Sequence, residues 1–206
     1  MEQVFDADEV RGVLHTPEQA TGDGLALTHG AGSNANAPLL VSLARAFCEA
    51  GLTVLRYDLP FRVSRAAGPP FPAGAARDRE GVLRAMEALR RQVKGRVLAG
   101  GHSYGGRQTA MIAAEKPGMA EGLLLLSYPL HPPKKPDQPR TGFFAEWRTP
   151  ALFVHGTRDP FGTVEELRSA IERIPVRVDL LAVEGAGHDL RPAARMGKEI
   201  LARMLF

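Results

Sequence analysis

The chain has 206 residues, enough for one hydrophobic core, and its 44% hydrophobic and 24% charged content sets it apart from disordered chains. A formal net charge of +3 comes with no basic stripe interleaved with stacking aromatics, so nucleic-acid binding is not expected. Cys48 is the single cysteine, which rules out an intrachain disulfide. The acidic N-terminus lacks a signal-type apolar core and no apolar run approaches the ~18 residues of a membrane helix, so a cytoplasmic protein without a membrane partner is expected.

An extended stretch over Val10–His15 leads through a turn-rich segment to Leu25–Thr28, a short apolar run that reads as a buried strand. Leu39, Leu40, Leu43 and Phe47 then recur at helical spacing, with Pro38 suited to the first turn and Gly51 to the end. Thr53–Tyr57 is the next strand, and Asp58 after it reads as a structural turn acid. Residues 59–77, rich in Pro, Gly, Ala and Arg, read as a long loop. Asp78 is a candidate cap for a helix whose buried face is Val82, Met86, Leu89 and Val93. A strand over Arg96–Gly100 runs directly into a helix that ends near Glu115, and Leu123–Leu126 is a fully apolar strand. Residues 128–148, with five prolines, form a second long loop. Ala151–Val154 is a strand. Thr163 and Glu166 match a capping box before a helix carrying Val164, Leu167, Ile171 and Ile174. Val176–Val183 is the last strand, and residues 191–206 read as a closing helix. Short apolar strands alternating with helices imply an α/β fold: a mostly parallel sheet with helices on both faces, one domain spanning 1–206. Ligands of such sheets bind at the carboxyl ends of the strands.

Gly101-His-Ser-Tyr-Gly105 falls at one such end. A G-x-S-x-G sequence between a strand and a helix forces a sharp turn that projects the Ser103 hydroxyl above the sheet, while small residues either side let the backbones approach. A serine hydroxyl needs a base within hydrogen-bond reach, and the base needs a carboxylate to hold its tautomer. His188, in the Gly-rich loop after the last strand, is the candidate base. Asp159, after the preceding strand, is the candidate acid, with the adjacent Asp189 as its rival. The amides of Tyr104 and of Ala31, in His29-Gly-Ala-Gly32, are candidate donors to a developing oxyanion. His29, His102 and His155 each end a strand but precede Gly or Ser in a turn, with no acidic partner at ligand spacing. No metal and no cofactor are therefore expected.

Together these segments, with Tyr57-Asp-Leu-Pro-Phe-Arg62 and Val154-His-Gly-Thr-Arg-Asp-Pro160, resemble the α/β-hydrolase superfamily over nearly the whole chain. The likeness is to its small dienelactone-hydrolase-like branch, including compact serine hydrolases similar to testis-expressed and chromatin-complex-associated members. The resemblance implies Ser103, Asp159 and His188 as catalytic residues, Ala31 and Tyr104 as the oxyanion hole, and no cap domain. Two departures stand out. Ser103 occupies the place where dienelactone hydrolases proper carry Cys, and the chain is short enough to imply that the first strands of a full eight-stranded sheet are missing.

The function expected is serine hydrolysis of a small ester or thioester through an acyl-enzyme, with a small-molecule ester as partner. The alternatives are acyl transfer on the same residues and a non-catalytic interaction module that retains the fold. The loops 59–77 and 128–148 are expected to flank the mouth above Ser103. They would bring Arg62 as a fork for a substrate carboxylate, together with Tyr128, Leu130, His131, Phe143, Phe144 and Trp147 as an apolar lining.

Overall fold

A computed structural model describes residues 1–204. Its strands are β1 (Glu2–Ala7), β2 (Val10–His15), β3 (Gly24–Thr28), β4 (Thr53–Tyr57), β5 (Val97–His102), β6 (Leu123–Leu126), β7 (Ala151–Gly156) and β8 (Val178–Val183). They form one sheet in the order β1-β2-β4-β3-β5-β6-β7-β8. The β1–β2 and β2–β4 pairings are antiparallel and the rest are parallel. The helices are α1 (Pro38–Glu49), α2 (Pro60–Ser64), α3 (Ala75–Arg90), α4 (Tyr104–Glu115), α5 (Val164–Ile171) and α6 (Gly197–Met204).

Side-chain alternation divides the apolar strand residues between two cores. Leu25 and Leu27 of β3, Leu124 and Leu126 of β6, and Leu152 and Val154 of β7 pack with Leu40, Leu43 and Phe47 of α1 and Ile200 and Met204 of α6. The intervening Ala26, Leu123, Leu125 and Phe153 face Val82, Met86 and Leu89 of α3, Ala110 and Ala113 of α4, and Leu167 of α5. Each fully buried Leu or Phe contributes about 1.5–3 kcal/mol, and the strands are apolar on both faces because both faces are covered.

The sheet has eight strands, against the expectation that the first ones are missing. β1 escapes a sequence reading because it is an edge strand with nearly every residue exposed, so it has no buried face to impose an alternating pattern. Its hairpin turn is Asp8-Glu9, both at positive φ (56° and 62°), a conformation usually marked by Asn or Gly. The loop 59–77 contains α2 and a 3-10 turn at Pro72–Gly74. Asp78 is not a cap. α3 starts at Ala75, and the buried Asp78 carboxylate accepts from the Phe61 amide at 3.0 Å and the Tyr104 hydroxyl at 2.7 Å. The expected closing helix is broken: Leu190 has φ 48°, Arg191–Arg195 is a 3-10 turn, and α6 follows. Residues 205–206 of that expected helix lie outside the described residues. The Thr163 capping box is present, with Glu166 N–H to Thr163 Oγ1 at 3.1 Å and Thr163 N–H to Glu166 Oε2 at 2.7 Å.

Candidate active site

Ser103 sits between β5 and α4 with φ 50° and ψ −115°, a conformation that costs a β-carbon residue about 1–3 kcal/mol. The surroundings hold it there. The Ser103 amide donates to the Leu126 carbonyl at 2.8 Å. A β-carbon on Gly105 would stand 2.4 Å from the His29 carbonyl oxygen, and one on Gly101 2.6 Å from the Gly106 nitrogen. Glycine is therefore required on both sides of the turn for backbones that touch. The serine hydroxyl is left at the N-terminal end of α4, where the first amides have no intrahelical acceptor.

The loop after β8 brings His188 to Ser103. His188 Nε2 lies 2.8 Å from Ser103 Oγ, and Nδ1 lies 3.0 and 2.8 Å from the two Asp159 oxygens. A carboxylate only accepts, so Nδ1 carries the proton and Nε2 presents its lone pair to the serine hydroxyl. The Asp159 side chain is fully buried. Burial alone would raise its carboxyl, but the His188 hydrogen bond and charge and the Phe161 amide at 2.9 Å outweigh that and hold it below the ordinary carboxylate value. Asp189, the rival acid, is exposed and pairs instead with Arg191 at 2.6 Å.

The loop after β3 places Ala31. His29 Nε2 accepts from the Leu59 amide at 3.2 Å, so the proton is on Nδ1, which donates to the Gly30 carbonyl at 2.8 Å. In a trans peptide the N–H points opposite to the C=O. Tethering the Gly30 carbonyl to His29 thus turns the Ala31 N–H the other way. Ala31, Tyr104 and Ser103 all line one cavity of about 440 Å³.

The expected substrate residues are placed differently. Arg62 is buried, and its guanidinium donates to the carbonyls of Ser33 (2.7 Å), Ala31 (3.0 Å), Gly68 (3.0 Å) and Arg65 (3.1 Å). Its donors are engaged by backbone, so it braces the Ala31 loop and is absent from the cavity wall. Tyr128 is also absent from the wall. Ser127 has φ 48°, which turns the chain so that the Tyr128 ring enters the core against Phe144 and Phe153. Phe144 and Trp147 are fully buried in the same cluster and line no mouth. The wall is made instead by Pro69, Pro70 and Phe71 on one loop, Pro129 and Arg140 on the other, and Arg107 of α4.

A family model described as an alpha/beta hydrolase domain matches residues 22–204. The chain belongs to the α/β-hydrolase family. Solved structures agree in fold. An alpha-beta serine hydrolase homologue from Coxiella burnetii is 15% identical with a TM-score of 0.78, covering 98% of this chain and 96% of that one. A dienelactone hydrolase from Anabaena variabilis is 22% identical, TM-score 0.73, with 100% and 99% covered. A Xanthomonas campestris member of the a/b serine hydrolases, titled as being without lid, is 17% identical, TM-score 0.70, with 100% and 95% covered. Among the described residues of this α/β-hydrolase no cap domain is inserted between the strands and helices of the sheet, and its fold is similar to that of the dienelactone hydrolase.

Three residues of the candidate site escaped the sequence reading. His29 orients the Ala31 peptide, as described above. His102 donates from Nε2 to the His188 carbonyl at 2.7 Å, and burial holds its ring down to about 4, so it stays neutral and tethers the loop that carries His188. Phe161 lies against the His188 ring with centroids 4.2 Å apart. The two histidines end strands beside glycine-rich turns, a signal read as turn chemistry. Phe161 carries no signal beyond following Asp159-Pro160. No helix among the described residues is long and apolar enough to cross a membrane.

Proposed function

We propose that the chain is a serine esterase that works through an acyl-enzyme. The observation that carries this reading is the unbroken chain of contacts from Ser103 Oγ to His188 Nε2 and from His188 Nδ1 to Asp159, opening on a cavity that Ala31 and Tyr104 also line.

His188 Nε2 takes the hydroxyl proton as Ser103 Oγ bonds to the ester carbonyl carbon. The Ala31 and Tyr104 amides receive the negative charge that forms on the carbonyl oxygen. The tetrahedral species collapses by expelling the alkoxide, which takes the proton from His188 Nε2. Water then gives its proton to the same nitrogen while its oxygen attacks the acyl carbon. Ser103 leaves reprotonated, and a carboxylic acid is released. Asp159 stays ionised throughout and stabilises the imidazolium. An ester or thioester suits the site better than an amide, because its leaving group departs without needing a dedicated pocket.

A fluorophosphonate probe should label the wild-type protein and leave Ser103→Ala unlabelled, while the two melt within about 1 kcal/mol of each other, the scale of one hydroxyl's hydrogen bond. Labelling of the variant at the wild-type rate would reject Ser103 as the nucleophile. Absence of both labelling and 4-nitrophenyl ester hydrolysis in the wild type would reject the esterase reading.

A further inference from the structure

Two arginines line the cavity beside Ser103. Arg107 stands one turn past Ser103 on α4, its amide donating to the Ser103 carbonyl at 2.9 Å, and Arg140 comes from the loop after β6. The backbone of Arg140 is fixed by its amide to Leu130 O at 2.7 Å and by the Tyr128 hydroxyl, which donates to the Arg140 carbonyl at 2.6 Å. The Tyr128 phenol is itself buried, and its hydroxyl proton is spent on that carbonyl. Burial pushes that phenol's pKa up, so it remains neutral and supplies no counter-charge.

No ion pair joins either guanidinium to Asp or Glu among the described residues. Burial first, and then the Arg107 charge, both disfavour the charge on Arg140. Arg107 Nε is buried with no acceptor. Arg62 shows what a bracing arginine looks like in this fold, with four hydrogen bonds to carbonyl oxygens at 2.7–3.1 Å, whereas the Arg140 guanidinium makes one long contact, Nη1 to the Pro129 carbonyl at 3.4 Å. Two like charges held together, one with an orphaned buried N–H, are an arrangement that an incoming anion stabilises, and planar forks suit carboxylate or phosphate oxygens.

We propose that Arg107 and Arg140 form an anion-recognition subsite, so that the ester processed at Ser103 carries a free carboxylate or phosphate group. This rests on the esterase reading of the same site. The opposite wall, Pro69, Pro70 and Phe71, is apolar and would take the neutral part of the substrate.

Two measurements separate the proposal from the reading it rests on. In the Ser103→Ala protein, calorimetry with monomethyl glutarate and with inorganic phosphate should show binding of at least one. The added change Arg140→Gln should weaken it by about ten- to a hundred-fold, the loss of one or two charge-assisted hydrogen bonds. The better ligand identifies the source of the charge. Neither ligand binding, or Arg140→Gln leaving binding unchanged, overturns the proposal. In the wild type, kcat/KM is compared for 4-nitrophenyl pentanoate, mono-4-nitrophenyl glutarate and 3-carboxy-4-nitrophenyl pentanoate, which place the charge nowhere, on the acyl side and on the leaving group. For one of the anionic esters, its ratio to the neutral ester should fall by a similar factor in Arg140→Gln and in Arg107→Gln, and recover in part in Arg107→Lys. Ratios unmoved in every variant overturn the proposal. If calorimetry shows the anion bound through Arg140 while no ester is cleaved and no probe reacts, the esterase reading fails and the anion subsite stands.

Discussion

Arg62 and His29 act on the same loop from opposite ends, and both can be tested by what their removal does to every substrate alike. Arg62 holds the carbonyls of Ala31 and Ser33, and His29 holds that of Gly30. Arg62→Ala should destabilise the fold by about 1–3 kcal/mol, since hydrogen bonds from a charged group are lost and carbonyls are left to water. It should lower kcat for neutral and anionic esters by the same factor, and a loss confined to the anionic ester would return Arg62 to a substrate-binding role. His29→Phe keeps a ring in the site but removes the donor that sets the Ala31 peptide. It should lower kcat by about ten-fold or more with KM little changed, because an oxyanion donor acts in the transition state. Asp159→Asn leaves the shape of the site but lets the imidazole adopt the wrong tautomer, and should reduce kcat by about 10³–10⁴-fold in steady-state assays. A fall of less than ten-fold would remove Asp159 from the mechanism.

The β5–α4 junction is the element on which the site depends. Gly105 lies where a β-carbon would meet the His29 carbonyl at 2.4 Å, backbone against backbone, so neither side can rotate away. Gly105→Ala should therefore cost about 3 kcal/mol in chemical denaturation. It should also slow fluorophosphonate labelling in the fraction that folds, because the atom displaced belongs to the loop that carries Ala31. Thr163→Ala, at the capping box of α5 far from this junction, should cost about 1 kcal/mol and leave labelling unchanged. Such local elements were legible in the sequence wherever one residue type answers one backbone demand. Glycines around Ser103, the Thr163 and Glu166 pair, and the leucines of β3 and β6 all do so. β1 was not legible, because an exposed edge strand imposes no pattern. The interior of the loop 128–148 was not legible either. Aromatic residues after a strand can turn toward the mouth or back into the core, and the positive φ of Ser127, which decides the matter for Tyr128, is not marked by glycine.

Across the whole molecule, Ala31, Ser103, Asp159 and His188 come from four connections that leave the carboxyl ends of β3, β5, β7 and β8, so parallel pairing converges residues far apart in sequence. That convergence could be read from strand order alone. The arginine pair and the neutral histidines could not, since charge burial depends on which side chains meet across the sheet. Those histidines make the fold sensitive to acid. His15 accepts from Arg56 Nε at 2.8 Å through Nε2, is 1% exposed, and is held down to about 4 by burial and the Arg56 charge. His102 is likewise held to about 4, chiefly by burial. Between the ordinary histidine value near 6.5 and about 4, the unfolded chain binds protons that the folded chain does not. Stability rises with pH wherever the unfolded state holds more protons, so it should decline steadily as pH falls through this window. Asp159 acts lower. Its depressed carboxyl contributes stability that is complete above the ordinary carboxylate value near 4, and loses it as pH falls through the depressed folded value. Denaturant melts from pH 7 to 3 should therefore show two ranges of loss. His15→Gln, which keeps an acceptor for Arg56 but no titrating group, should flatten the upper range in part. Asp159→Asn should shrink the lower one and leave the part that the likewise depressed Glu2 and Glu166 carboxyls contribute. An upper range as steep in His15→Gln as in the wild type would mean that the His15 imidazole takes up its proton in the folded chain as readily as in the unfolded one.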